Sequence, residues 1–237
     1  MNEVGVVAAL EAEARTLGPK VPRGGGLSIL NDGGLLAVSG MGGGLAAIAA
    51  RNLIGAGAKS LMSFGLAGGL DPRLKAGSVV LPGEVISREG GRFITTQTWC
   101  EQLRPALEKR LEVVSGRLLS TAQPVDAVAD KAALFLETGA AAVDMESMSI
   151  AAVAAAYGLP FIAVRVIVDT AFDVLPGAVL AASRGGEVNV LRLILRLAAK
   201  PKDLIPLLHL ARRYRAATRS LRAIAGARRA IAGARAA

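Results

Sequence analysis

The 237-residue chain is poor in the side chains that most often carry chemistry: it has one cysteine, Cys100, and one histidine, His209. A lone cysteine excludes an intramolecular disulfide and an all-cysteine metal site. A lone histidine excludes paired-histidine metal ligation and argues against a Ser/His/Asp hydrolase. Eight aromatic residues are too few for a base-stacking platform on single-stranded nucleic acid. No uncharged apolar run reaches the roughly 18 residues of a membrane span, and no basic stretch leads into an apolar one at the N-terminus. The expectation is a cytoplasmic protein. What the chain does have is apolar bulk, 52% of residues against 20% charged, enough to bury a large core.

The charge is unevenly placed. Residues 1–187 carry 16 basic and 18 acidic side chains, whereas 188–237 carry 12 basic ones and Asp203 as the single acid. The whole positive excess of the chain, a net +9, therefore sits in the tail. Such a tail points to an anionic partner, a membrane surface or a nucleic acid. Two regions follow: an α/β domain over 1–187 and a basic amphipathic helical extension over 188–237.

Over the first region short apolar runs alternate with helical patterns. Strands are predicted at Val4–Ala9, Leu35–Ser39, Ser60–Phe64, 118–121, 141–145 and 161–168, with a β-rich run over Ser78–Ser87 bent at Pro82-Gly83. Helices are predicted at Glu11–Leu17, Leu45–Leu53, 101–113, 127–137 and 147–157. The alternation predicts a single-domain, three-layer α/β/α fold around a central mixed, mostly parallel sheet. In the tail, Val190–Leu197 reads as a helix with Arg192, Arg196 and Lys200 on one face. After Pro201 a second helix carries one stripe at 207, 211, 214, 218 and 221, beside a basic stripe of Arg212, Arg215, Arg219 and Arg222. Docking on the body and binding to a membrane surface both fit that pattern.

Two glycine clusters, Gly40-Met41-Gly42-Gly43-Gly44 and Gly65-Leu66-Ala67-Gly68-Gly69, follow predicted strands. Leu45 stands where a dinucleotide fingerprint needs glycine, no acid follows about 20 residues later, and no G-x-x-x-x-G-K-[ST] occurs. What remains at Gly40–Gly44 is a glycine-lined turn whose N–H groups hold an anion or sugar hydroxyl, or simply a tight turn. Glu11 and Glu13 follow the first strand, where acids favour a helix start and where α/β ligand sites form. The stretch Ala142–Thr170 is the most informative. Asp144 and Glu146 flank Met145 at a strand end, and Arg165 and Asp169 lie in an apolar strand where unpaired charge is costly. Four apart on one strand, Arg165 and Asp169 are placed to pair, or to serve a site. Asp126 and Asp130 fit a helix N-terminus, Trp99 and Cys100 a loop or helix start, and His209 a surface position.

These residues resemble the nucleoside phosphorylase and nucleosidase superfamily, which includes methylthioadenosine/S-adenosylhomocysteine nucleosidase. The resemblance spans about residues 3–172, through VGVVAALEAEA, SGMGGG, FGLAGGLDPRLKAGSVVLPGEV, and AVDMES followed by FIAVRVIVD. Its most specific part is D-M-E-S with R-x-x-x-D about 20 residues on. The Leu/Arg-rich extension resembles the hopanoid-associated branch, which implies removal of adenine from adenosylhopane, a lipid nucleoside.

The resemblance implies roles. Glu13 corresponds to the carboxylate that activates the nucleophilic water, Met145 and Glu146 to the ribose contacts, and Asp169 to the acid at the leaving purine. Arg165 corresponds to an arginine near the nucleophile, Pro124 and Val125 to the base pocket, and Gly42, Gly43, Gly65 and Leu66 to the nucleophile or phosphate loop. The chemistry is that of two carboxyl groups, one giving a proton to the base and one orienting the nucleophile, without metal or cofactor. Leu66 and Val168 stand where many relatives have serine. That weakens the case for phosphate and deprives Asp169 of a hydrogen-bond partner. Hydrolysis of a lipid-linked adenine nucleoside, by a homo-oligomer with no nucleic-acid partner, is the leading expectation. Phosphorolysis on the same fold, a methylthioadenosine/S-adenosylhomocysteine-type nucleosidase, a nucleoside-sensing protein, and a nucleic-acid-binding tail are the alternatives.

Overall fold

The computed structural model describes residues 4–18, 21, 26–174 and 204–234, with the side chains of the last segment described over 211–228. The elements run β1 (Val4–Ala8), α1 (Glu11–Leu17), β2 (Leu27–Ile29), β3 (Leu35–Val38), α2 (Gly43–Gly55), β4 (Ser60–Gly69), β5 (Val79–Val80), β6 (Glu84–Ile86) and β7 (Arg92–Ile94). They continue α3 (Gln97–Glu108), β8 (Val113–Val114), β9 (Arg117–Ser120), α4 (Val128–Thr138), β10 (Ala140–Asp144), α5 (Ser147–Ala156), β11 (Phe161–Asp169) and α6 (Leu204–Ala234).

The sheet is organised by β4. Its first half lies parallel to β1 on one side and β11 on the other, while Gly68 and Gly69 at its end pair antiparallel with β10. β1 pairs with β3, β10 with β9 and β9 with β6, all parallel, whereas β2 and β7 close the two ends antiparallel. The sheet is mixed and mostly parallel, as predicted. Because β1 stops at Ala8 while β4 runs on to a new partner, the sheet splits at the carboxyl ends of its parallel strands. A ligand crevice forms at such a place in α/β sheets.

Alternation along β11 sorts the two faces. Ile162, Val164 and Val166 join the core that Ala14 and Leu17 of α1, Leu103 and Leu107 of α3, and Leu221 and Ile224 of α6 complete. Phe161, Ala163 and Ile167 face the opposite core with Ala46 and Leu53 of α2 and Ile150 and Ala154 of α5. That is the period-two pattern of a strand buried on both faces between helical layers.

Several expectations need correction. The predicted strand at Ser60–Phe64 does not end there but continues through Gly65-Leu66-Ala67-Gly68-Gly69. With β11 paired alongside, glycine's weak strand preference is overridden by the ladder. The helix predicted at 101–113 lies at Gln97–Glu108, and Val113–Val114 instead forms β8 against β5. The short strands β2 and β7, with exposed–intermediate–exposed side chains, gave no apolar run to read.

In the tail, α6 packs on the body, but through Ala217, Ser220, Leu221, Ile224, Ala225 and Arg228. The predicted apolar stripe is thus rotated, and Tyr214 faces outward. Ala217 and Ala225, too small to mark a stripe by hydropathy, permit close helix approach. Ser220 donates to the carbonyl of Gly77 at 2.8 Å, and Arg228 pairs with Asp32 at 2.8 Å. Arg212, Arg215, Arg219 and Arg222 are exposed, on the outward face as expected. The predicted helix at Val190–Leu197 and the side chain of His209 lie outside the described residues.

Candidate active site

The split in the sheet opens a cavity of about 210 Å³. The segments after β1, β3, β9 and β10 reach it, together with the ends of β4 and β11. Glu13, Leu66, Pro124, Val125, Met145, Glu146 and Asp169 line it, with Met41, Thr121 and Asp144. Residues from six separate stretches of chain therefore meet at one place.

Glu13 sits in the first turn of α1, and the direct passage of β1 into that helix puts its side chain back over the strand end. Its Oε1 accepts the N–H of Leu66 at 2.8 Å, and its Oε2 accepts that of Leu10 at 2.9 Å. Both carboxyl oxygens are thereby oriented by rigid backbone. Burial pushes the Glu13 carboxyl up from 4.5 to about 7, against the pull of the Arg165 guanidinium and the two backbone donors. Such a group is poised to take a proton from water near neutrality.

Gly65 lies beneath this carboxylate. A Cβ there would stand 2.5 Å from Glu13 Oε1 and 2.7 Å from Arg165 Nη1, so only glycine admits both groups. Gly42 enters α2 with φ +99°, and its N–H donates to Glu146 Oε1 at 2.9 Å. Gly43 closes against Ser149, whose Oγ would lie 2.3 Å from a Cβ. Of the four expected loop residues only Leu66 lines the cavity; Gly42, Gly43 and Gly65 shape it from behind.

Arg165 is buried, and its Nη2 lies 2.6 Å from Asp144 Oδ2 and 3.8 Å from Glu146 Oε2. The same nitrogen donates to Ser63 Oγ at 2.6 Å and Ser147 Oγ at 3.1 Å. It stands behind the carboxylates instead of lining the cavity. The neighbouring acids hold the guanidinium above its usual range despite burial. Burial likewise raises Glu146, which Arg165 opposes and Asp144 reinforces.

Arg165 and Asp169 do not pair, so of the two readings of their spacing the structural pair falls. Four residues of extended strand hold their backbones about 13 Å apart, and the register of β11 against β4 also shifts between Ile167 and Asp169. Asp169 instead forms an ion pair with Lys131 of α4, whose Nζ also donates to the carbonyls of Thr170 at 2.9 Å and Asp173 at 2.8 Å. Burial raises the Asp169 carboxyl, the Lys131 ammonium opposes that, and the Asp173 carboxylate adds to it. The expectation that Asp169 lacks an orienting partner is thus corrected. Lys131 escaped the sequence reading, although a lysine on the stripe of Leu134 in an apolar helix face was its signal.

The sequence profile of the phosphorylase superfamily matches residues 29–198. The chain belongs to that superfamily. Comparison with curated protein sequences gives no match. Among solved structures, this superfamily member resembles the 5′-methylthioadenosine/S-adenosylhomocysteine nucleosidase of Neisseria meningitidis in complex with methylthio-immucillin-A. The two are 25% identical, with 72% of this chain and 87% of that one covered and a TM-score of 0.64. The corresponding nucleosidase of Helicobacter pylori, with butyl-thio-DADMe-Immucillin-A, gives 21% identity, coverages of 72% and 86%, and a TM-score of 0.64. Futalosine hydrolase of Helicobacter pylori covers more of the chain: 94% here and 97% there, at 18% identity and a TM-score of 0.68. The fold is shared with both enzymes, and in this superfamily member Glu13, Glu146 and Asp169 line the cavity at the split of the sheet.

Proposed function

We propose that the protein hydrolyses the N-glycosidic bond of an adenine nucleoside bearing a hydrophobic 5′ substituent, with adenosylhopane as the substrate and ribosylhopane and adenine as products. The observation that carries the proposal is the convergence of Glu13, Glu146 and Asp169 on one cavity. Cleavage builds positive charge on the ribose and negative charge on the departing base, as in glycoside hydrolysis. Asp169 gives its proton to the imidazole nitrogen of the purine as the bond to the sugar breaks. Glu146 accepts from the ribose hydroxyls, with Met145 beside the sugar. Glu13 takes a proton from the water that attacks the anomeric carbon. Pro124 and Val125 supply apolar wall for the base.

Water is favoured over phosphate by the charge of the site. Arg165, the cation beside Glu13, is already matched by Asp144 and Glu146, so among the described residues a phosphate dianion would meet surplus carboxylate and no unmatched cation. Leu66 contributes no hydroxyl. Phosphorolysis remains the second reading, favoured by the superfamily alone.

The exposed arginines of α6 support peripheral attachment to an anionic membrane, where a lipid nucleoside would be met. Among the described residues no helix is long and apolar enough to cross a membrane. A hydrophobic 5′ substituent needs an apolar mouth, and we assign part of it to the Leu-rich stretch 190–211, whose side chains before residue 211 lie outside the described residues. Exposed Leu45 and Ile48 on α2, close in sequence to the cavity-lining Met41, offer an apolar face to a second copy in a homo-oligomer.

The test is adenine release from an adenosine with a long apolar 5′ substituent, without and with phosphate. Release in phosphate-free buffer, abolished in a folded Asp169→Asn variant, is the expected result. Release only with phosphate overturns the hydrolytic reading, and undiminished release by Asp169→Asn overturns the role of the acid.

A further inference from the structure

We propose that Lys131 is a positioning residue for the proton donor: it fixes Oδ2 of Asp169, leaves Oδ1 for the purine, and stabilises the carboxylate that remains once the proton has gone. The inference rests on the hydrolytic reading above and deepens it.

Three observations carry it. First, Lys131 is fully buried, at 0% exposure, on a helix otherwise packed by apolar contacts. A buried ammonium is costly unless its donors are met, and a well-packed apolar side chain would serve the fold as well or better. Second, its bonding is complete. An ammonium has three donors, and the three acceptors are Asp169 Oδ2 and the carbonyls of Thr170 and Asp173. Third, both carbonyls belong to the turn that follows the acid. That turn is closed by Asp173 Oδ2, which accepts the Thr170 N–H at 2.9 Å and its hydroxyl at 2.8 Å. Arg213 of α6 holds the other Asp173 oxygen at 2.6 Å. Lys131 therefore ties the acid and the chain after it to α4, where the irregular register of β11 leaves the strand less able to do so.

The charged groups facing Asp169 are Lys131 from α4 and Asp173 from the turn, with Arg213 behind Asp173. Neighbouring β4 presents Gly68, and β10 presents Val143, neither of them charged. In the reaction the Asp169 proton passes to the imidazole nitrogen while the electron pair of the glycosidic bond goes to the base. Asp169 becomes a carboxylate against the ammonium. The attraction is stronger after transfer than before, which is the condition for an interaction to lower the barrier.

The experiment compares kcat and KM across pH for wild type, Lys131→Met and Lys131→Arg, with thermal unfolding as the check on folding. An adjacent cation lowers a carboxyl by about 1–3 pH units, so Lys131→Met should move the alkaline limb upward by about one unit or more. Its kcat should fall about tenfold or more, with KM within about threefold. Lys131→Arg should return the limb towards the wild-type position. A purely structural lysine would lower activity with the limb unmoved, and that result overturns the proposal. In folded wild-type enzyme the chemical shift of Lys131 Nζ should report ionisation of the Asp169 carboxyl, with its inflection at the midpoint of the alkaline limb, and this measurement stands even where Lys131→Met does not fold. A midpoint elsewhere overturns the proposal. An inactive wild type refutes the hydrolytic reading; an active wild type with an unmoved limb in Lys131→Met refutes only the role of Lys131.

Discussion

Glu13→Gln separates the electrostatic cost of the site from its use. In the wild type the folded carboxyl titrates at about 7 against 4.5 as a free side chain, because burial penalises its charged form. The folded state therefore binds the proton more tightly than the unfolded state between those values. Stability is fully present below the unfolded value and is lost as pH rises through the folded one. At 1.36 kcal/mol per unit, the loss between pH 5 and pH 8 is about 2–3 kcal/mol.

Glutamine carries no such titration but adds a local fault. Both Glu13 oxygens accept backbone N–H groups, from Leu10 and Leu66, so one of these donors would meet the amide NH₂ and lose its acceptor. That fault costs about 1–3 kcal/mol at any pH. The variant should therefore be clearly less stable than wild type at pH 5. By pH 8 the gap should close or reverse, its total change being the 2–3 kcal/mol above. Urea unfolding of both proteins at the two pH values measures this, and the difference cancels the titration of Glu146 and Asp169. Parallel stability curves would refute the account of Glu13. Catalysis should fall about 10²–10⁴-fold with loss of the general base, and the acid limb of kcat/KM near pH 7 should disappear.

Two other outcomes follow from the geometry. Gly65→Ala places a Cβ against Glu13 Oε1 and Arg165 Nη1, both held by several partners, so it should cost about 1–3 kcal/mol in thermal unfolding and reduce kcat more than KM; full activity would show that the carboxylate moves freely. Replacing Arg212, Arg215, Arg219 and Arg222 together by glutamine should weaken partition onto phosphatidylglycerol vesicles by about 1 kcal/mol per residue, while turnover of a soluble short-chain substrate stays unchanged. Undiminished vesicle binding would remove the membrane role from α6.

The site was largely legible because its chemistry is written in local contrasts. Asp144, Glu146, Arg165 and Asp169 are charges in otherwise apolar strands, and Glu13 is an acid immediately after one. Those contrasts mark, without any knowledge of the fold, residues that it gathers in or against one cavity. The helix Glu11–Leu17 was read to its ends for a similar reason, since a buried strand followed at once by acids marks a helix start. The strand before the glycine motif at 65–69 was ended too early, at Phe64, because glycine is a poor strand former, while here it permits close approach of side chains from α1 and β11 to strand backbone.

The pairing of the charges was the part that could not be read. Spacing left a pairing of Arg165 with Asp169 open, but Arg165 meets Asp144 on β10 and Asp169 meets Lys131 on α4. Those partners come from other elements, and no property of Phe161–Asp169 alone announces them. The consequence is chemical as well as structural. If Arg165 paired with Asp169, the acid would share the cation that neutralises Asp144 and Glu146, and the proton donor and the ribose contacts would titrate as one coupled group. With separate cations the two sets are insulated: Arg165 balances Asp144 and Glu146, and Lys131 balances Asp169. In the proposed reaction, proton delivery is then tuned through Lys131 without altering how the ribose is held, which is why the pH limb and KM are expected to respond separately to its replacement.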